Sequence, residues 1–148
     1  MCFKPLKYDC IETAEDDIYV AKVFRKFNKS GENIYAAPYR VWYFYGPMNS
    51  GAEFTCEHFG YFEPVANGFG DYQGFHSFAK TEDALDLLSW NAAEWREEQY
   101  TVFICVIPKG TRYMYGVDAN GRTNFVSEKF RVAYEIGSFS EMLKKIKS

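Results

Sequence analysis

The chain has 148 residues and a formal net charge of -3, with 17 basic and 20 acidic side chains interspersed along it. That length suits one domain, 1–148, able to bury a core without disulfides or metal. The charge excludes any global attraction for nucleic acid or anionic membrane and leaves only local patches for such partners. The outlier is aromatic content: 14 Phe, 12 Tyr and 3 Trp make up 20% of the chain. So many tyrosines suit either sheet faces or a surface built of amphipathic rings.

Residues 1–17 are polar and turn acidic at Glu12, Glu15, Asp16 and Asp17, which reads as an irregular N-terminal arm. The β-branched and aromatic run 18–27 reads as a strand, Asn28-Lys29-Ser30-Gly31 as a turn, and 33–37 as the returning strand. Segment 38–47 is the most aromatic; a proline opens it and Gly46-Pro47 closes it, as in a short edge strand. Residues 46–73 are rich in glycine and read as a long loop interrupted by a short strand at Glu53-Phe54-Thr55-Cys56. Long loops inside small domains are often functional.

Phe75-His76-Ser77-Phe78 reads as a central strand feeding directly into a helix over 82–96. Thr81 is the expected N-cap, and Glu82 and Asp83 suit the positive end of the helix dipole. Ala84, Leu85, Leu88, Ala92 and Trp95 share one helical stripe. Phe75 and Phe78, three apart, face opposite sides of a strand, so both of its faces are expected to be covered. Tyr100 to Ile107 follows as the strongest strand, apolar on both sides, with Cys105 as a buried free thiol. The run 111–116 alternates, Asp118-Ala119-Asn120-Gly121 signals a hairpin, and 125–136 holds two further extended runs. Ser140 caps an expected short C-terminal helix with Phe139, Met142, Leu143 and Ile146 on one face. The fold class is therefore α+β: a strand-rich mixed or antiparallel sheet, one amphipathic helix after the central strand, and a short C-terminal helix.

Metal ligation is not expected, because Cys56 and His58 stand two apart with no second pair of that spacing. Gly68-Phe69-Gly70 lacks the strand-turn-helix setting of a dinucleotide loop, and no nucleophile elbow is present. Two residues are catalytic candidates. His76 stands where a strand runs into a helix, and Glu128 is a carboxylate at the mouth of the last strand. Each has a structural alternative, as a backbone-anchored histidine and an exposed edge charge. Tyr39, Arg40, Trp42 and Tyr43 are ligand-binding candidates, since rings beside a cation suit bases, sugars, nicotinamide or a protein partner. Their alternative is a two-sided buried strand. Met1-Cys2-Phe3-Lys4-Pro5 lacks the apolar core of a signal peptide, and no apolar run is long enough to span a membrane. The expectation is a cytoplasmic protein with reduced thiols and no membrane partner.

Four motifs resemble a loose group of small phage and bacterial proteins without an assigned activity. They are Ala37-Pro38-Tyr39-Arg40, Gly74-Phe75-His76-Ser77-Phe78, the segment 107–113 (Ile-Pro-Lys-Gly-Thr-Arg-Tyr) and the segment 126–132 (Val-Ser-Glu-Lys-Phe-Arg-Val). The resemblance implies a phage or mobile-element context, with a role in host takeover or in countering host defence. A more distant similarity is to ADP-ribosyltransferases, on Arg25, the Phe75-His76-Ser77-Phe78 strand and Glu128. It departs from them at Phe-His-Ser-Phe, where the Arg-type enzymes carry Ser-Thr-Ser, and at Val126, where they often carry Glu or Gln.

The expected function is a non-catalytic interaction or regulatory protein that binds a protein or small ligand through aromatic surface, without a cofactor. The alternative is an enzyme using NAD or a nucleotide, with His76 and Glu128 in one pocket. Nucleic acid is a third class, disfavoured by net charge, for which Lys22, Arg25, Lys26 and Lys29 would have to form a basic stripe.

Overall fold

The run Ile18–Lys29, rich in β-branched and aromatic residues, forms a 12-residue strand, and the sheet is assembled around it. The computed structural model describes residues 4–5, 11–36, 44–46, 48–57, 59–62, 71–90, 100–117 and 120–137. Before the helix come β1 (Lys4–Pro5), β2 (Glu12–Thr13), β3 (Ile18–Lys29), β4 (Glu32–Ala36), β5 (Phe44–Gly46) and β6 (Glu53–Thr55). They continue with β7 (Gly60–Phe62), β8 (Asp71–Gln73) and β9 (Phe75–Phe78). Helix α1 (Thr81–Trp90) leads to β10 (Tyr100–Ile107), β11 (Arg112–Val117), β12 (Thr123–Ser127) and β13 (Lys129–Gly137). Every strand pair is antiparallel. Eleven strands form one sheet in the order β1-β11-β12-β9-β3-β10-β13-β6, with β2 beside β11 and β4 and β5 branching from β3. The architecture is α+β, strand-rich and antiparallel.

Local chemistry explains the tight connections. Ser30 and Gly31 both take positive φ, 55° and 83°, between the paired residues Lys29 and Glu32. Two positive φ values in a two-residue loop match the twist of antiparallel strands. Strand β10 lies between β3 and β13, and all eight of its residues are buried, as an apolar run without alternation requires. Cys105 is a buried free thiol within it.

The two phenyl rings of β9 do point to opposite sides. Phe75 joins a cluster with Val20, Phe24, Phe103, Phe130 and Val132, whereas Phe78 joins Ala21, Val23, Val102, Ile104, Ala84 and Leu87. The first face is aromatic: Phe130 lies 4.8 Å from Phe75, 5.1 Å from Phe54 and 6.1 Å from Phe24, measured between ring centroids. The second face is the one that α1 covers.

Differences from the expected elements have local causes. The arm 1–17 contributes β1 and β2, which pair with β11. Buried Ala14 anchors it, its amide donating to Thr111 O and its carbonyl accepting from Gly110 N. Within the expected loop 46–73, Gly60–Phe62 and Asp71–Gln73 pair as a separate ribbon. At the start of α1 the carbonyl of Lys80 accepts from the amides of Asp83 and Ala84, so Lys80 takes the capping position and Thr81 opens the helix. The helix buries Ala84 and Leu87, with Leu85 partly buried beside them. The side chain of Leu88, helix residues beyond 90 and the C-terminal helix lie outside the described residues.

Candidate functional site

Pairing of β9 with β12 sets His76 opposite Val126, and Glu128 follows Val126 by two residues. The two catalytic candidates are therefore close in the sheet, with Glu128 just past the end of the strand that pairs with His76. Glu128 occupies the bend between β12 and β13, held on both sides: its amide donates to Arg112 O and its carbonyl accepts from Cys56 N. Its carboxylate receives Arg112 Nε at 3.1 Å and Arg112 Nη2 at 2.8 Å. These two bonds hold the carboxyl below the usual glutamate range. The guanidinium also lies 5.5 Å from the Phe59 ring centroid. Sequence reasoning missed Arg112 as the partner, although it lies in a quoted motif.

The carbonyl of His76 has a second role, as acceptor for Lys22 Nζ. Lys22 faces the aromatic side of the sheet, only 6% exposed. Its ammonium lies 5.1 Å from the centroid of Phe130, 5.5 Å from Phe24 and 5.9 Å from Phe75. Burial pushes its pKa down to about 8, against a weak opposing effect of Cys105. Burial likewise pushes the Cys105 thiol up to about 12. Lys22 thus leaves the expected basic stripe. Lys26 reaches Glu135 at 3.8 Å, and Arg25 lies over Phe27 at 4.8 Å. Alternation along β3 sends Lys22 and Lys26 to one face and Arg25 to the other.

Of the aromatic ligand-binding candidates, Tyr39, Arg40, Trp42 and Tyr43 lie outside the described residues. Among the described residues, two other tyrosines stand exposed. Tyr19 on β3 pairs with Val106, and Tyr134 on β13 pairs with Ile104, two residues along the same face of β10. Tyr19 is 65% exposed and Tyr134 is 61% exposed, so this face carries two open phenol rings over buried aliphatic side chains. Arg131 pairs with Val106 from the other side and reaches Asp17 at 3.3 Å and Glu53 at 3.8 Å. Nothing in a run such as Ile-Tyr-Val marks which tyrosine stays uncovered, because that depends on tertiary cover and not on the local repeat.

Two cavities lined by described residues border the sheet. One of about 600 Å³ is acidic, lined by Glu12, Glu15, Asp16 and Tyr113 among others. Glu12 accepts from the Tyr113 hydroxyl at 3.0 Å. One of about 400 Å³ lies between the start of α1 and the 120–123 turn, where buried Arg122 reaches Asp86 at 2.7 Å. Neither lining includes His76 or Glu128. Among the described residues no group of three or more His, Cys, Asp or Glu is placed to hold a metal, and no helix is long and apolar enough to cross a membrane. Comparison with protein families, curated proteins and solved structures finds no match to this chain.

Proposed function

We propose that this is a non-catalytic interaction protein that engages a protein partner through aromatic sheet surface. The observation that supports it is the pair Tyr19 and Tyr134, exposed on the two strands that flank β10, with Arg131 on the second of them. Tyr and Arg are the residues that most often carry interface energy, since large stiff rings bury area at little entropic cost. The phage or mobile-element setting, with host takeover or countering of defence as the role, rests on the four motifs alone. The test compares proteins retained from host lysate by the wild-type chain and by the Tyr19→Ala/Tyr134→Ala double variant. A retained species lost with the variant, at unchanged melting temperature, supports the reading. Identical retention by both chains, or none by either, removes it.

A second reading, an enzyme using NAD or a nucleotide, has one observation behind it: His76 pairs with Val126, two residues before Glu128. A carboxylate would stabilise positive charge developing at the sugar carbon. Glu128→Gln is a clean probe, because an exposed ion pair such as Arg112–Glu128 is worth about 1 kcal/mol or less. NAD turnover by the wild-type chain that Glu128→Gln abolishes would establish this reading; absence of turnover would remove it.

A further inference from the structure

The sheet is continuous in order but uneven in how it is joined. Strand β3 meets β10 along eight residue pairs, whereas it meets β9 through one pair, Ala21 with Phe78. This β3–β9 seam separates β1, β2, β11, β12 and β9 from the remaining strands of the sheet. Beside the single pair, Lys22 on β3 donates to the carbonyl of His76 on β9, so a side chain replaces a missing ladder bond. That side chain is a buried cation. No carboxylate pairs with it among the described residues, and its surroundings are the three phenyl rings described above.

Next to it the seam holds a second unsettled polar group. Ser77 is 3% exposed, and its hydroxyl has no hydrogen-bond partner among the described residues. By the antiparallel register through Ala21 and Phe78, Ser77 stands opposite Lys22 on the same face. A buried ammonium and an unpartnered hydroxyl both gain from contact with water, and the seam between them is the most weakly laddered join in the sheet's main path.

We propose that the β3–β9 seam is a proton-controlled opening: protonated Lys22 drives it to admit water, and neutral Lys22 lets it stay shut. Burial favours the neutral amine, so the lysine takes up a proton more readily when the seam is open. Linkage then requires acid to favour opening and base to favour closure. The groups facing Lys22 leave it the controlling titration. Strand β10 offers the thiol of Cys105 and β4 the phenol of Tyr35, both held protonated by burial; β9 offers Phe75 and Ser77; β13 offers Phe130 and Val132. Glu135, further along that face, is engaged by Thr101 and Lys26. The imidazole of His76 points to the opposite face, since alternation separates it from Phe75 and Ser77.

The test is native-state amide exchange at His76, Ser77 and Phe78, corrected for the intrinsic pH dependence of exchange. Wild-type protection is expected to rise roughly tenfold or more from pH 6.5 to 9.5, as the linkage relation predicts for full hydration of the amine. Lys22→Met should show high protection at both pH values, and His76→Asn should keep the wild-type rise. A Lys22→Met profile that rises as in wild type, or a wild-type profile that stays flat, overturns the proposal. Should Lys22→Met fail to fold, NMR titration of the Lys22 Nζ and Cε in the wild-type chain decides. A midpoint coinciding with the change in protection supports the opening, and a lysine that does not titrate there overturns it.

Discussion

Gly74 shows how little room one residue has at the start of β9. Its φ is +152°, and an added Cβ would lie 2.7 Å from Val126 Cγ1, 2.9 Å from the carbonyl of Ser127 and 3.0 Å from Phe59. Two of these neighbours belong to β12, which cannot retreat without losing its pairing with β9. Gly74→Ala is therefore expected to destabilise by about 1–3 kcal/mol, the usual range for overpacking. Urea unfolding checks this, and an unchanged midpoint would show that β9 and β12 are free to separate there. Glu128 is a different case. Its carboxylate and both of its backbone polar groups are engaged, so its position is fixed by the bend more than by any one bond.

Helix α1 owes its place to what it covers. Ala84 and Leu87 sit against Ala21, Val23, Phe78, Val102 and Ile104. Leu87→Ala is expected to cost about 2–5 kcal/mol, as for other large-to-small core changes, and thermal unfolding would show it; a shift no larger than that of an exposed-site control such as Glu82→Ala would place the helix differently. How much of this was legible varies by element. Composition marked β3 and β10, as β-branched and aromatic runs, and spacing marked α1 and the opposed rings of β9, because a helix and a strand each repeat their buried positions. Of the expected stripe, Ala84 is buried and Leu85 is partly buried beside it, while the side chain of Leu88 lies outside the described residues; buried Leu87 stands three residues from Ala84 and satisfies the same repeat. Strands β1, β2, β7 and β8 have two or three residues each, too few for any repeat. The candidate site was legible as residue types and not as partnerships: Arg112 with Glu128, and Lys22 with the His76 carbonyl, join residues far apart in the chain.

For the whole molecule, two buried groups set opposing dependences on pH. Lys22 has a folded pKa of about 8 against an ordinary 10.5, so the folded state lacks a proton that the unfolded chain holds between those values. Stability therefore rises with pH across that window. Cys105 has a folded value of about 12 against 9.0, so the folded state keeps a proton that the unfolded chain loses, and stability falls across that range. Each full shift is worth about 3–4 kcal/mol. The expected profile from urea unfolding rises from pH 8 to 9 and levels while the two effects oppose. It falls beyond about 10.5, where the raised phenol pKa values of Tyr35, Tyr100 and Tyr113 add to the decline. Lys22→Met should erase the rise, and Cys105→Ala should prolong it. A wild-type curve that only falls above pH 8 would contradict the burial of Lys22.

The eight pairs between β3 and β10 also govern how the chain acquires its structure. The ribosome completes β3 long before β10, and at 5–20 residues per second the wait is roughly 4–16 s. During that interval β3 has its β4 hairpin on one edge but lacks the strand that will cover most of its length. Its charges at Lys22, Arg25 and Lys26 break the apolar run and discourage pairing with a second nascent chain. Strand β10, Tyr-Thr-Val-Phe-Ile-Cys-Val-Ile, has no such charge and depends on finding β3 ready beside it. The lysine that strains the finished sheet thus protects the unfinished one.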